Sequence, residues 1–190
     1  MDITYPASAE VIEKFVADNR PRYLKALDEV KDHFSRGQHE RKDLRCIYNL
    51  YSRGHKPGAD ELKHPNKIRF KFDLHCAKER LKKSNIFDTP DIVGMTVSVT
   101  YPSDINIVCA FLDDLCTKTV VFPKFFNLKE NATTNKKSLI KIITSFGSVK
   151  NDRGYYACHY CLRTNDTPDD PIVEVQIKNR SARRLGAQNT

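Results

Sequence analysis

"DIVGMTVSVTY", residues 91–101, sets the fold class. Val93, Met95, Val97 and Val99 recur at a strict two-residue spacing, the period of a strand whose side chains alternate between faces. A helix follows, capped by Ser103 or Asp104, with Ile105, Val108, Leu112 and Leu115 on its inner face. Further strands are expected near 119–122, 140–146, 155–163 and 172–178, and residues 123–138 form a polar connection rich in lysine and asparagine. Toward the N-terminus the period lengthens. Pro21 opens a helix with Tyr23, Leu24, Leu27, Val30 and Phe34 at three- and four-residue steps. Leu44, Ile47, Tyr48 and Tyr51 repeat that pattern until "SRGHKPG" breaks it. A lysine-rich helix is expected over 65–83. Helices followed by a strand–helix–strand unit and more strands predict an α/β or α+β domain, with helices flanking a mixed sheet of about five strands. The 190 residues divide into N-terminal helices (1–60), a core (61–180) and a short tail (181–190).

Composition narrows the classes. No stretch approaches the roughly 20 apolar residues that span a bilayer. Mean hydropathy is −0.57, and the opening "MDITYPASAE" lacks a secretory signal. A cytoplasmic protein with six reduced cysteines is therefore expected. A formal charge of +8 favours polyanionic partners, from nucleotide phosphates to RNA.

Three stretches carry candidate chemistry. In "IVEVQIK" alternation places Val173, Val175 and Ile177 on one face and Glu174, Gln176 and Lys178 on the other. That stripe is either a solvent face or one side of a site. Asp91 is either a strand-boundary residue or, with a second carboxylate on a neighbouring strand, a Mg²⁺ ligand. Magnesium takes one or two carboxylates and completes its octahedron with water and phosphate oxygens. Lys63, Lys67 and Lys71 recur every four residues, as a solvated helix face or as a grip on a triphosphate. "RGYYACHYCLR" (153–163) resembles a metal knuckle, yet in a strand Cys158 and Cys161 point to opposite faces, poor geometry for one ion. His159 shares a face with Tyr155, Ala157 and Cys161, suited to core packing or to a stacking platform.

Taken in order, "KHPNKIRFK", "DIVGMTV", "GYYACHY" and "VEVQIKN" resemble the synthetase domain of RelA/SpoT alarmone synthetases, whose pieces read roughly K-S-x-x-S-I-x-x-K, D-I-x-G-x-R, G-Y-x-S-x-H and E-x-Q-I-R. The resemblance runs from about residue 63 to 179 and implies a stand-alone small synthetase with a nucleotidyltransferase-like fold. It implies transfer of pyrophosphate from ATP to the 3′-hydroxyl of GDP or GTP. By the same resemblance Asp91 ligates Mg²⁺. Glu174 helps hold the metal or orients and deprotonates the attacking hydroxyl, and Gln176 supports it. Lys63 and Lys71 grip ATP phosphates. Tyr155 stacks on the acceptor base, His159 contacts acceptor phosphates, and Lys178 stands where the pattern has arginine. The pattern's other arginines fall at Thr96, Tyr156 and Glu61, and its asparagine before Gly-Tyr falls at Arg153. Arg53 is the substitute expected on the ATP side if its loop folds back. The family's helical tail, which builds oligomers, is expected beyond "RSARRLGAQNT", so the sequence is either a truncated reading or a reduced relative, and oligomerisation stays open. Two alternatives stand beside this reading: a toxic relative that pyrophosphorylates tRNA, and an inactive nucleotide-binding relative.

Overall fold

The computed structural model describes residues 2–53, 60–121, 139–143, 149–150, 156–164, 167 and 169–179. Strand β1 (Asp2–Thr4) leads into a long helix α1 (Ala9–Glu40), a 3-10 turn (Lys42–Cys46) and strand β2 (Ile47–Ser52). Helix α2 (Pro65–Glu79), strand β3 (Lys83–Asn85), strand β4 (Val93–Val99) and helix α3 (Asp104–Leu115) follow. Strands β5 (Cys116–Val121), β6 (Leu139–Ile143), β7 (Val149–Lys150), β8 (Tyr156–Arg163) and β9 (Val173–Asn179) complete the chain.

Helix α1 begins well before the expected start. Ser8 caps it, its hydroxyl accepting the Val11 N–H at 3.3 Å. Pro21 lies inside rather than at the N-terminus. An interior proline removes one backbone hydrogen bond. The apolar stripe nevertheless continues across it, with Ile12, Phe15 and Val16 buried before the proline and Tyr23, Leu27, Val30 and Phe34 after it. Burial of that stripe outweighs the local break. Helix α2 starts at Pro65 as expected but ends at Glu79, where Arg80 turns left-handed at φ 54°.

The main sheet runs β2-β4-β9-β8-β6-β5, with β7 paired to β8. β4 lies parallel to β9, and β2 and β8 run antiparallel to β4 and β9 respectively. β1 and β3 form a separate antiparallel pair. The sheet thus gains β2 and β7 over the five expected strands. Residues 47–51 are strand, not helix. The four-residue step from Ile47 to Tyr51 suits a helix face, but pairing with β4 makes the segment a strand, and a register shift after Ile47 sets Ile47 opposite Val99 and Tyr51 opposite Thr96, on different faces.

Val93, Met95 and Val97 sit in register with Val173, Val175 and Ile177, all at most 3% exposed, on the face covered by α1 and α3. Tyr160 and Leu162 of β8 join them, and the Tyr160 hydroxyl bonds the Cys109 carbonyl of α3 at 3.3 Å. On α3, Ile105, Val108, Phe111 and Leu112 are buried and Leu115 is half-buried. Ser103 supplies no capping bond, whereas the Asp104 carboxylate accepts the Tyr101 N–H at 2.9 Å. No helix among the described residues is long and apolar enough to cross a membrane.

Candidate nucleotide site

The second face of the sheet is polar because the strands alternate. Register sets three rows across it. Gly94, Glu174 and Cys161 form the first, Tyr51, Thr96, Gln176 and His159 the second, and Asn49, Ser98, Lys178 and Ala157 the third. Cys158 and Cys161 fall on opposite faces, as alternation requires. Gly94 is demanded by close approach: a Cβ there would meet the Glu174 carbonyl oxygen at 2.8 Å, pushing β9 and its glutamate away.

Asp91 precedes β4 in the left-handed region, at φ 65°, a conformation aspartate tolerates better than most residues. Its side chain is only 12% exposed, and three cations meet on it. Arg53 donates through Nη2 to Oδ1 at 2.6 Å, and Lys63 and Lys71 both donate to Oδ2. Arg53 also donates to the Ile92 carbonyl at 3.0 Å, which accepts the Lys63 N–H at 2.8 Å. An isolated Leu62–Val93 bridge lays this segment along the start of β4. Arg53 thus joins Lys63 and Lys71 on Asp91, while residues 54–59 lie outside the described residues. Lys63 lies just before α2 and Lys71 within it, whereas Lys67 is exposed and outside the cluster. Glu61, at a family arginine position, instead accepts from Ser52 and pairs with Lys31.

Burial pushes the Asp91 carboxyl up, but hydrogen bonds from Lys63 and Lys71 and contact with the Glu174 carboxyl hold it well below the usual carboxylate range. Burial lowers Lys63, and the charges of Lys71 and Arg53 add to that effect against the raising influence of Asp91. Glu174 faces a second set of partners. His159 Nδ1 lies 3.1 Å from Oε1, and Gln176 donates to Oε2 at 3.4 Å. His159 Nε2 is buried without a hydrogen-bond partner among the described residues.

A cavity of about 320 Å³ opens over these rows, lined by Tyr51, Ser52, Arg53, Gly94, Met95, Thr96, Glu174 and Gln176. A larger hollow of about 840 Å³ lies on the opposite side of the sheet, between α1 and α3 near His33, Arg36, Arg41 and Phe111. The smaller one is lined by Glu174 and by Arg53, the cation that also bonds Asp91. No group of three or more His, Cys, Asp and Glu side chains that could hold a metal occurs among the described residues. Asp91 and Glu174 are the two carboxylates that a hard divalent ion keeping water and phosphate as its remaining ligands would use, once the cations on Asp91 turned to phosphate.

The fold thus gathers Asp91, Glu174, Gln176, His159, Arg53, Lys63 and Lys71 on one side of the sheet. Lys178 stands one row away, its ammonium 5.8 Å from the centroid of the Tyr51 ring. Tyr155 lies outside the described residues. Tyr51 escaped the sequence reading because a helix was expected there, and "IYNLYSR" shows no two-residue alternation to oppose it.

No family model and no curated protein matches this sequence. Solved structures do match. Smu.1046c from Streptococcus mutans UA159 is similar with a TM-score of 0.54 and 20% identity, over 90% of this chain and 72% of that one. The small alarmone synthetase 1 from Bacillus subtilis follows at 0.52 and 16%, over 90% and 73%. The same synthetase bound to its product pppGpp gives 0.52 and 16%, over 92% and 78%. The topology and the sheet that carries these residues therefore identify the fold of this chain as that of the small alarmone synthetases.

Proposed function

We propose that this protein transfers pyrophosphate from ATP to the 3′-hydroxyl of GDP or GTP, with Mg²⁺ as cofactor. The observation that carries the reading is the Asp91 cluster. Three cations converge on one carboxylate beside Glu174, above a cavity on the polar sheet face. Such an excess of positive charge suits a polyphosphate.

Arg53, Lys63 and Lys71 would exchange Asp91 for donor phosphate oxygens. The exchange preserves charge-assisted hydrogen bonding for each cation and frees Asp91. Asp91 and Glu174 would hold the metal, which when bound neutralises phosphate charge and polarises the phosphoryl group. Glu174 orients the acceptor hydroxyl and takes its proton, while Gln176 and His159 fix its carboxylate from the neighbouring row. His159 Nε2, unpartnered among the described residues, offers a hydrogen bond to an acceptor group. Phosphoryl-type transfer needs alignment and charge stabilisation more than covalent participation by the protein. A site built from fixed cations and carboxylates supplies both.

The test is incubation with γ-labelled ATP, Mg²⁺ and GDP, GTP or tRNA, followed by separation of products. Label on GDP or GTP is expected. Label on tRNA alone would move the reading to an RNA-modifying relative, and label on no acceptor would refute the enzymatic reading.

A further inference from the structure

Tyr51 stands where two halves of the site meet. It lies opposite Thr96 across β2 and β4, and Thr96 in turn lies opposite Gln176. Thr96, Ser98 and Lys178 are polar neighbours of its hydroxyl. The Lys178 ammonium, 5.8 Å from the ring centroid, is within cation–π range and fixes the ring. The side chain lines the cavity together with Gly94 and Thr96, whose small side chains leave room beside the ring. At about 320 Å³ the cavity has the size of a small-molecule site.

The geometry points to Tyr51 as the residue that receives the purine base of the donor nucleotide, its ring serving as the stacking wall. This rests on the synthetase reading above and assigns one residue within it. The assignment to donor rather than acceptor follows from position. Tyr51 is two residues from Arg53 on the same chain segment, about 7 Å along a strand, and both line the cavity. Arg53 sits in the cluster that grips donor phosphates. A base at Tyr51 with phosphates at Arg53, Lys63 and Lys71 places a ribose between them. His159, on the acceptor side, is three strands away in the order β2-β4-β9-β8, about 14 Å at normal strand spacing. One base cannot be held by both strands.

Equilibrium binding tests this without turnover. The probes are an α,β-methylene ATP analogue, GDP and inorganic tripolyphosphate, each with Mg²⁺, on wild type and on Tyr51→Ala, Tyr51→Leu and Tyr51→Phe. The leucine variant keeps apolar bulk without a ring and serves if the alanine variant does not fold. Loss of the ring should weaken the ATP analogue roughly 5- to 100-fold, the range for base–aromatic stacking. GDP and tripolyphosphate should change less than twofold, and Tyr51→Phe should stay within about threefold of wild type. Unchanged ATP-analogue affinity in the ringless variants, or an equal loss for GDP, overturns the role of Tyr51 while leaving the synthetase reading intact. A wild type that binds neither nucleotide overturns both.

Discussion

Asp88 and Asp91 stand three residues apart, and their carboxyls are displaced in opposite directions. Asp88 pairs with the guanidinium of Arg163, yet desolvation outweighs that partner and its pKa is raised. Asp91 is the more buried of the two, 12% exposed at the side chain against 19%, and its pKa is lowered. Burial alone would predict the reverse order. The hydrogen-bonded cations explain it: among the described residues Asp88 accepts from Arg163, whereas Asp91 accepts from Arg53, Lys63 and Lys71. The Asp88–Arg163 pair ties β8 to the turn before β4. A carboxylate outnumbered by cations, even with Glu174 beside it, is an anion site that the protein has partly filled with its own side chain.

The comparison breaks most sharply through chemistry. Under the proposed function, Glu174→Gln or Asp91→Asn should lower turnover by roughly 10²–10³, the effect of removing one oriented electrostatic group. Asp88→Asn should leave turnover per folded molecule near wild type. Steady-state rates normalised to folded protein would decide this, and equal losses at positions 88 and 91 would abolish the distinction.

Stability comes next. Arg163→Ala leaves the Asp88 carboxyl without this guanidinium and should cost about 3 kcal/mol in denaturant unfolding. Because the Asp88 side chain is only 19% exposed, solvent offers little relief.

A smaller effect belongs to the individual cations. Lys71→Ala should weaken an ATP analogue about tenfold, as expected for one charge-assisted bond on a partly exposed lysine. Lys67→Ala, four residues earlier on the same helix but exposed, should change affinity less than twofold. Isothermal titration of both variants compares a cation inside the cluster with one outside it.

The smallest expected effect is the pH dependence. The folded pKa of Asp91 lies below its unfolded value, so the stabilisation from its ionisation is complete above the unfolded value, about 3.8, and is lost as pH falls through the folded one. The stability difference between wild type and Asp91→Asn should stay constant from pH 8 to pH 5 and shrink only in stronger acid. Asp88 has the opposite sign: its ionisation costs stability as pH rises through its raised value. A difference at Asp91 that already declined between pH 7 and pH 5 would show that its three cations do not hold it.

Much of this site was legible as a line of residues. Asp91 before an alternating run, and Glu174 and Gln176 on the polar face of another, needed only the two-residue period of a strand. The same period separated Cys158 from Cys161 and removed the metal-knuckle reading. What the period could not supply was any statement about which strands are neighbours. Ile47 and Tyr51, four apart, fit a helix face, whereas a register shift in the pairing with β4 puts them on opposite sheet faces, and the helix reading hid both an edge strand and the ring that lines the cavity. Pro21 was read as a helix start because local propensity favours it there; the apolar stripe on both sides, buried against the sheet, overrode it.

The sequence by itself determined the residue types of the site, their order along the chain and the face each strand residue occupies, because these depend on local covalent geometry. Only the tertiary structure decided that Arg53 reaches Asp91. That needed the Leu62–Val93 bridge and the shared Ile92 carbonyl, contacts between segments some 30 to 40 residues apart. It also decided that Tyr51, Thr96, Gln176 and His159 form one row. Register between strands is fixed by pairing and packing across the sheet, and no local pattern encodes it.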